Sequence, residues 1–473
     1  MKTIIIKMIL MTMLLGSCHA QQKQHSLKKD ALEPKIDALV RQYLDLDIFS
    51  GVVLVAEQGE PVYHKAFGLA DRTTKTPNTI HTKFDIGSMN KTFTRVVALQ
   101  LIDEGKLKFD DRLGRYLSGF PEQAADKITV EQLLNHTSGY GDYWGPDFDS
   151  LPLSKKTIAG LVERIRQLPL HFEPGTDTRY SNSGYILLGA IIEKVTGKTY
   201  HQNVKERIIA PLKLNDTYVE NKYEVPQRAT GYFKTVKGVL KDNNGFVELP
   251  NPDGGFQATA MDMLTFHRAF FYGHTLLSEA MKTKDRFFDV IREHAGTGGA
   301  IPLAGGFPGA NTVHYEILRD KIAIVVFANM DEPVAEQLGA GILAIIRGKT
   351  PEKPSLPAAQ NVYIAYNEHG LEYVKDHFEQ LTRNFHPTDP KSLILNTIGY
   401  TFLSDGSIAK AIGVFTLNTE LFPEDPNVWD SLGEACAKNG ERAKAIRYYK
   451  KALEIDPAFP SARNMLEQLE KGR

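Results

Sequence analysis

The sequence lacks several features that would mark specialised classes of protein. Its 473 residues include only two cysteines, Cys18 and Cys436, which excludes a disulfide framework and a cysteine-rich metal or iron–sulfur site. Lys and Arg number 56 and Asp and Glu 57, so no overall positive field favours nucleic acid, and we expect no nucleic-acid partner. The apolar fraction of 42% and the charged fraction of 24% are those of an ordinary globular chain.

An apolar run near the N-terminus predicts export. Residues 2–15 combine two lysines with a short apolar stretch, and small residues follow, which is typical of a secretory signal over residues 1–20. The stretch is too short for a transmembrane anchor. Leu15-Gly16-Ser17-Cys18 resembles a bacterial lipobox, in which Cys18 would be lipidated and would anchor the protein to a membrane, whereas cleavage after Ala20 is the alternative. Both interpretations predict a periplasmic or membrane-anchored protein outside the cytoplasm.

Two β-hairpins are predicted near the ends of a long first region. Each pairs two apolar runs across a polar turn: 52–55 with 62–67, and 312–318 with 322–328. Between the hairpins the apolar spacing is mostly helical. Strands at both ends with helices between them predict an α+β domain over residues 31–349, built on an antiparallel sheet with an inserted helical region.

The last part of the chain repeats itself. After a proline-rich linker predicted over residues 350–360, a period of about 34 residues relates Gly399 to Gly433, Ala411 to Ala445, Phe415 to Tyr449 and Pro423 to Pro457. This pattern resembles the tetratricopeptide repeat. It predicts an all-α array over residues 361–473, with clear units at about 392–425 and 426–459. We expect the array to fold separately from the α+β domain and to offer a surface to a protein partner.

The first motif that can carry chemistry is Ser88-Met89-Asn90-Lys91. It fits S-x-x-K, which places a hydroxyl and an amine one helical turn apart. The same spacing occurs at Ser26/Lys29 and Ser407/Lys410, so the spacing has little weight by itself. Ser88, however, precedes a predicted helix over residues 92–103, and the N–H groups at the start of a helix favour a developing oxyanion.

Further motifs follow Ser88 in a definite order. His136-Thr137-Ser138-Gly139 comes next, then Tyr180-Ser181-Asn182, the only Tyr-x-Asn among nineteen tyrosines, and then Gly254-Gly255-Phe256. Together these motifs resemble the serine β-lactamase and penicillin-binding protein superfamily, in its class C β-lactamase and D-alanyl-D-alanine peptidase or esterase branch. The resemblance covers about residues 31–349 and implies a β-lactamase-like fold and a serine hydrolase.

The resemblance also implies roles for individual residues. Ser88 would be the acylated nucleophile, which needs a neighbouring base because a serine hydroxyl is weak by itself. Lys91 and Tyr180 would form that base system, and Asn182 would orient Lys91 and the acyl amide of the substrate. For His136 we expect a structural role in its loop.

The third motif of the superfamily is where this sequence departs from the pattern. The branch has Lys-Thr-Gly or His-x-Gly on a strand, whose cationic or imidazole group contacts the substrate carboxylate. Spacing from the second hairpin places Leu303-Ala304-Gly305-Gly306 there, so that a backbone N–H near Gly306 would be the second oxyanion donor. His294-Ala295-Gly296 is the alternative if an insertion separates it from the hairpin.

The sequence therefore predicts an exported serine hydrolase that acts on a small ester or amide or on a peptidoglycan-like peptide. Two alternatives remain open. The first is a peptidoglycan or β-lactam sensor in which Ser88 acylates without turnover, and the second is an interaction protein with a degenerate hydrolase domain. We expect no metal and no cofactor, since the histidines show no metal-ligand spacing.

Overall fold

The structure is a computed structural model that describes residues 27–145, 147–246, 248–385 and 389–471. The predicted signal, with Cys18 and Ala20, lies outside the described residues. The chain divides into two compact units: the described residues of Met1–Phe233 and Asp242–Pro354, and those of Lys234–Lys241 and Ser355–Arg473. Among the residues that the structure describes, no helix combines the length and the apolar character needed to cross a bilayer.

The strands of the described chain form one large antiparallel sheet and several short ribbons. In chain order they are β1 (Gly51–Glu57), β2 (Glu60–Phe67), β3 (Leu69–Asp71), β4 (Thr76–Pro77), β5 (Phe84–Asp85), β6 (Thr217–Tyr218), β7 (Tyr232–Lys234), β8 (Leu240–Asp242), β9 (Gln257–Ala258), β10 (Ile301–Phe307), β11 (Ala310–Ile317) and β12 (Ile322–Ala328). The large sheet has the order β10-β11-β12-β1-β2, so the two predicted hairpins meet in one sheet and β10 lies at its edge.

Helices of the first unit cover both faces of this sheet. They are α1 (Lys29–Asp45), α2 (Lys91–Asp103), α3 (Leu113–Tyr116), α4 (Glu122–Lys127), α5 (Val130–Leu134), α6 (Ile158–Ile165), α7 (Asn182–Thr196), α8 (Tyr200–Val204), α9 (Ala210–Leu212), α10 (Ala260–Phe271), α11 (Glu279–Lys284), α12 (Arg286–Ala295) and α13 (Val334–Ile346). Both α10 and α13 pack on β12, and every residue of β12 is buried. The predicted α+β fold, an antiparallel sheet with an inserted helical region, is confirmed.

The second unit contains a regular stack of helices. They are α14 (Ala358–His369), α15 (Leu371–Leu381), α16 (Ser392–Ser404), α17 (Ile408–Leu421), α18 (Pro426–Lys438), α19 (Arg442–Ile455) and α20 (Pro460–Glu470). The helix pairs α16/α17 and α18/α19 begin 34 residues apart, at positions 392 and 426 and at positions 408 and 442, which confirms the helical repeat. Small residues allow the paired helices to approach closely: Gly399 faces the ring of Phe415 and Gly433 faces that of Tyr449.

The second unit also contains a segment that lies far from its helices in the sequence. Residues Lys234–Lys241, which join β7 to β8, belong with the helices α14–α20 and not with the sheet. Val236 is 5% exposed and packs within the helical core, and Lys237 pairs with Asp405 at 2.7 Å. This segment lies far from residues 361–473 in the sequence, and nothing in the local sequence of this hairpin marks its distant partners.

Candidate active site

Ser88 lies where a short strand meets a helix. β5 ends at Asp85, a 3₁₀ turn spans Gly87–Asn90, and α2 begins at Lys91. The Asp85 carboxylate accepts a hydrogen bond of 2.9 Å from the N–H of Gly87 and so fixes the turn. Gly87 has a φ of +48°, and a Cβ at this position would lie 2.7 Å from the nitrogen of Gly306. Glycine is therefore required here, and Ser88 is held directly beside β10.

Two polar side chains converge on the Ser88 hydroxyl. The ammonium of Lys91 donates to Ser88 Oγ at 3.0 Å, and the hydroxyl of Tyr180 donates to the same oxygen at 2.7 Å. Lys91 comes from the next turn of the same helical segment, whereas Tyr180 comes from the loop before α7. The structure therefore brings together the three predicted catalytic residues at hydrogen-bond distance.

Lys91 is enclosed by backbone and aromatic groups. Its ammonium donates a second hydrogen bond of 2.8 Å to the carbonyl oxygen of Asp253, and its side chain is 6% exposed. The ring centres of Tyr180 and Tyr185 lie 4.9 and 5.8 Å from the ammonium. These contacts fix the direction of the ammonium toward Ser88.

Tyr180 is oriented by the start of α7 and by His136. Ser181 caps α7 by accepting the N–H of Gly184 at 2.9 Å. His136 Nδ1 accepts the N–H of Ser181 at 3.1 Å, and its ring stacks on that of Tyr180 with a centroid separation of 4.8 Å. Burial, with the nearby charges of Lys91 and Arg95, lowers the pKa of His136 to about 3. A neutral imidazole therefore supports Tyr180.

A buried ion pair holds the loop that carries His136. Arg95 Nη1 contacts Asp285 Oδ1 at 2.6 Å, and both side chains lie inside the protein. The other guanidinium nitrogen donates to the carbonyl oxygen of Leu134 at 2.5 Å and to Asn135 Oδ1 at 3.2 Å. Arg95 lies on α2, one turn beyond Lys91, so it connects the catalytic helix with the His136 loop.

Asn182 lies in the cleft beside Ser88 but has a different partner from the expected one. Its amide nitrogen donates to both carboxylate oxygens of Asp142 at 3.0 Å. Among the described residues no hydrogen bond joins it to Lys91, whose second partner is the carbonyl oxygen of Asp253. The expected contact of Asn182 with the acyl amide of a substrate stays a prediction.

The backbone of β10 lies against Ser88, as the Leu303 alignment requires. A Cβ at Gly305 would collide with the carbonyl oxygen of Ile86 and lie 2.7 Å from the nitrogen of Ser88. Leu303 packs against the apolar core of the unit. His294, by contrast, lies on α12, where its Nδ1 is 2.8 Å from the carbonyl oxygen of Val290. The geometry therefore favours the Leu303 alignment over the His294 alternative.

A cleft opens beside Ser88, and the space in and around its mouth, open solvent included, is about 530 Å³. Besides Ser88 and Gly306, its lining includes residues that the sequence analysis did not identify: Asp85, Tyr143, Trp144, Phe148, Lys156, Glu248 and Asp253. Most of these lie in loops that carry no motif. The adjacent aromatic residues Tyr143-Trp144 in a glycine-containing loop were the one available signal, since exposed aromatic groups on loops often bind ligands.

Comparison with known proteins defines the class. The β-lactamase family model matches residues 36–346, and the tetratricopeptide repeat model matches residues 426–459. The first match spans about two thirds of the chain. The protein belongs to the β-lactamase family and carries a C-terminal tetratricopeptide repeat.

Relatives of this chain include both peptidases and esterases. It is 31% identical to penicillin-binding protein 4* of Bacillus subtilis over 60% of this chain and 69% of that protein. It is 33% identical to a D-aminopeptidase of Brucella anthropi over 46% of this chain and 42% of that protein. It is 32% identical to the esterase EstB of Burkholderia gladioli over 48% of this chain and 62% of that protein. The chain thus spans less than two thirds of the last two relatives.

A solved structure agrees with this assignment. The penicillin-binding protein of Bacillus halodurans superposes with a TM-score of 0.55 and 25% identity, and the match covers 66% of this chain and 99% of that one. The family is therefore one of hydrolases with penicillin-binding, peptidase and esterase members, and its model matches residues 36–346 of this chain.

Proposed function

We propose that the protein is an exported serine hydrolase that forms an acyl-enzyme on Ser88 with an ester or amide substrate. The observation that carries the proposal is the convergence of Lys91 Nζ and Tyr180 OH on Ser88 Oγ, at 3.0 and 2.7 Å. These distances lie within the reach required for proton transfer between a nucleophile and its base. The D-aminopeptidase and esterase relatives support an amide or an ester as the substrate class.

In the proposed first step, the Lys91–Tyr180 pair acts in the form that has given up one proton, and it takes the proton of Ser88 as Oγ attacks the carbonyl carbon of the substrate. The carbonyl oxygen takes up the electron pair of the broken π-bond and becomes an oxyanion. The carbonyl double bond then re-forms as the bond to the leaving alcohol or amine breaks, and the Lys91–Tyr180 pair gives its proton to the leaving group, which leaves the acyl-enzyme on Ser88. Water repeats the sequence on the acyl-enzyme and releases the acid.

Two backbone N–H groups are the proposed donors to the oxyanion. Ser88 is in the first turn of a helical segment, where backbone N–H groups have no partner within the helix. The close approach of Gly305 and Gly306 to Gly87 and Ser88 supports Gly306 as the second donor. Donors that are already in position cost no reorganisation as charge develops.

Leu303, at the position of the third motif, predicts which substrates the enzyme prefers. A side chain that packs against the apolar core offers no charge at the place where the superfamily contacts a carboxylate. A missing charged hydrogen bond costs about 1.5 to 3 kcal/mol, which corresponds to roughly tenfold to a hundredfold in discrimination. We therefore expect penicillins and D-alanyl-D-alanine peptides to be poor substrates compared with small neutral esters.

A screen of esters and amides with purified protein, beside its Ser88→Ala variant, tests this proposal. We expect steady turnover of a small ester that is lost in the variant. A stoichiometric burst without further turnover would instead indicate a sensor. Inertness toward all acyl compounds would favour an interaction protein, in which the repeats, proposed here to bind a protein partner, carry the function.

A further inference from the structure

More acidic than basic side chains line the cleft beside Ser88. Of the described residues that line it, three carry carboxylates, Asp85, Glu248 and Asp253, and one carries an ammonium, Lys156. Aromatic side chains form much of the remaining wall: Tyr143, Trp144, Phe148 and Phe307. A cleft of this composition offers negative charge and ring faces, and both attract cations.

Two of the carboxylates already have structural partners. Asp85 accepts hydrogen bonds from the Gly87 N–H at 2.9 Å and from the amide of Gln257 at 3.0 Å. Asp253 accepts one from the Tyr143 hydroxyl at 2.8 Å. For the Glu248 carboxylate the structure gives no hydrogen bond and no ion pair within the described residues, so it is the lining acid left to bind a ligand.

The basic groups around Glu248 are directed elsewhere. The Lys156 ammonium donates to the carbonyl oxygen of Asp149 at 3.3 Å and lies 4.8 Å from the ring centre of Phe148. The Lys222 ammonium donates to the carbonyl oxygen of Phe246 at 3.3 Å. The two ammonium groups therefore reduce the negative field at Glu248 without forming an ion pair with it.

The electrostatic surroundings keep a proton on Glu248. Burial, followed by the carboxylates of Asp253 and Asp85, raises the pKa of Glu248 to about 8, although Lys222 and Lys156 act in the opposite direction. A cation placed in the cleft would favour the ionised carboxylate and would expel this proton. Binding of a cation should therefore strengthen as the pH rises through about 8 and should release a proton below it.

We propose that Glu248 determines the substrate class of this enzyme by binding a positively charged group, such as a substituted ammonium, on the ester or amide. The inference rests on the proposed hydrolase function. The ring of Trp144, which is 43% exposed and stacks on that of Phe148 at 5.6 Å and 8°, offers an aromatic face to the same group. Leu303 has no positively charged group, which agrees with a site that favours positively charged over negatively charged substrates.

Pairs of esters that differ in charge but not in shape test this proposal. In the first pair, acetylcholine carries a trimethylammonium group on its alcohol side and 3,3-dimethylbutyl acetate carries a neutral tert-butyl group there. In the second pair, the p-nitrophenyl esters of betaine and of 3,3-dimethylbutanoic acid carry the same two groups on the acyl side. Each kcat/KM is divided by the rate of hydroxide-catalysed hydrolysis of that ester. Because both members of a pair react at Ser88, any pH dependence of the chemistry at Ser88 cancels in their ratio.

We expect the full-length protein to prefer the cationic member of at least one pair by about tenfold or more above pH 8, the worth of a charged hydrogen bond. The preference should decline toward about pH 6.5 as Glu248 takes up its proton. Glu248→Gln should remove both the preference and its pH dependence while the neutral esters still react. Glu332→Gln, which removes an exposed carboxylate near Gly306, should keep the preference.

A binding measurement separates this inference from the proposed chemistry. Calorimetry on the Ser88→Ala variant compares choline with 3,3-dimethylbutanol, and buffers of different ionisation enthalpy report proton release. Choline should bind at least tenfold more tightly and release a proton near neutral pH. If the wild-type protein hydrolyses no ester or amide while the Ser88→Ala variant still binds choline in this way, the proposed hydrolase is refuted and the assignment of Glu248 stands. Equal binding of the two alcohols, or a cation preference that survives Glu248→Gln, would overturn the assignment of Glu248.

Discussion

The two units of this protein place their charged groups differently. In the first unit, the ion pair of Arg95 with Asp285 lies in the interior, and the side chains of His314 and Glu316, which contact each other at 2.7 Å, are fully buried. In the helical unit, pairs such as Lys375 with Glu420 lie on exposed side chains. Burial of charge costs free energy unless partners compensate for it. The buried Arg95–Asp285 pair therefore depends on its partners, and it holds the loop that carries His136 beside Tyr180, whereas Gly399 and Gly433 of the helical unit act through close packing against aromatic rings.

The largest expected effect comes from breaking a buried pair. Asp285→Asn leaves the Arg95 guanidinium inside the protein without a counter-charge, and we expect the free energy of unfolding to fall by about 3 to 5 kcal/mol. Asp289→Asn, on the helix α12 that directly follows Asp285, is the matched control, since its pair with Arg292 is exposed, and we expect about 0 to 1 kcal/mol. Chemical denaturation measures both. Equal effects would show that burial of charge does not distinguish these sites.

The second largest expected effect is on the rate of ester hydrolysis. Lys91→Ala and Tyr180→Phe should each lower kcat/KM toward a small ester by about a hundredfold or more, the range for loss of a general base. The controls are Lys108→Ala and Tyr223→Phe, at exposed positions. Normal melting curves together with an unchanged rate in the first two variants would remove Lys91 and Tyr180 from the mechanism.

A smaller effect tests the packing of the helical unit. A Cβ at Gly399 would collide with the ring of Phe415, so Gly399→Ala should destabilise this unit by about 1 to 2 kcal/mol even though alanine favours helix. At Gly413 on α17 the nearest atom, on Leu371, would lie 3.6 Å away, so Gly413→Ala should stabilise it by up to about 1 kcal/mol. Thermal unfolding followed by circular dichroism compares the two, and equal shifts would refute the packing argument.

The smallest expected effect is that of the repeats on the chemistry. All the groups proposed to act on the substrate belong to the first unit, so a chain that ends at Lys349 should hydrolyse a small ester within about twofold of the full rate. Because truncation removes the helical core that buries Val236, a second truncated chain carrying Val236→Ser guards against aggregation. If both truncated chains are soluble and inactive, the repeats are part of the catalytic structure.

How far the sequence predicted the molecule also differs between the units. In the helical unit the period of 34 residues predicted the helix pairs, because each repeat packs mainly against its neighbours in the chain. The packing of Val236 there was missed, since it depends on contacts more than a hundred residues away. In the first unit the Ser88–Lys91 spacing is local, and Tyr180 follows from the order of the motifs.

The surroundings of the catalytic groups were harder to predict. The carbonyl oxygen of Asp253 and the carboxylate of Glu248 come from one irregular loop, and Lys156 comes from another. Their positions follow from how the loops pack together, which periodicity does not report. Asn182 shows the same limit, because its motif predicted a place in the cleft but not its hydrogen bonds to Asp142.

The most direct test of the account is the identity of the acylated residue. Full-length protein is treated with a fluorophosphonate probe, and the labelled peptide is identified by mass spectrometry in the wild type and in Ser88→Ala. We expect one label per chain, on Ser88, and none in the variant. A label on another residue, or labelling that persists in Ser88→Ala, would contradict the assignment of Ser88 as the nucleophile.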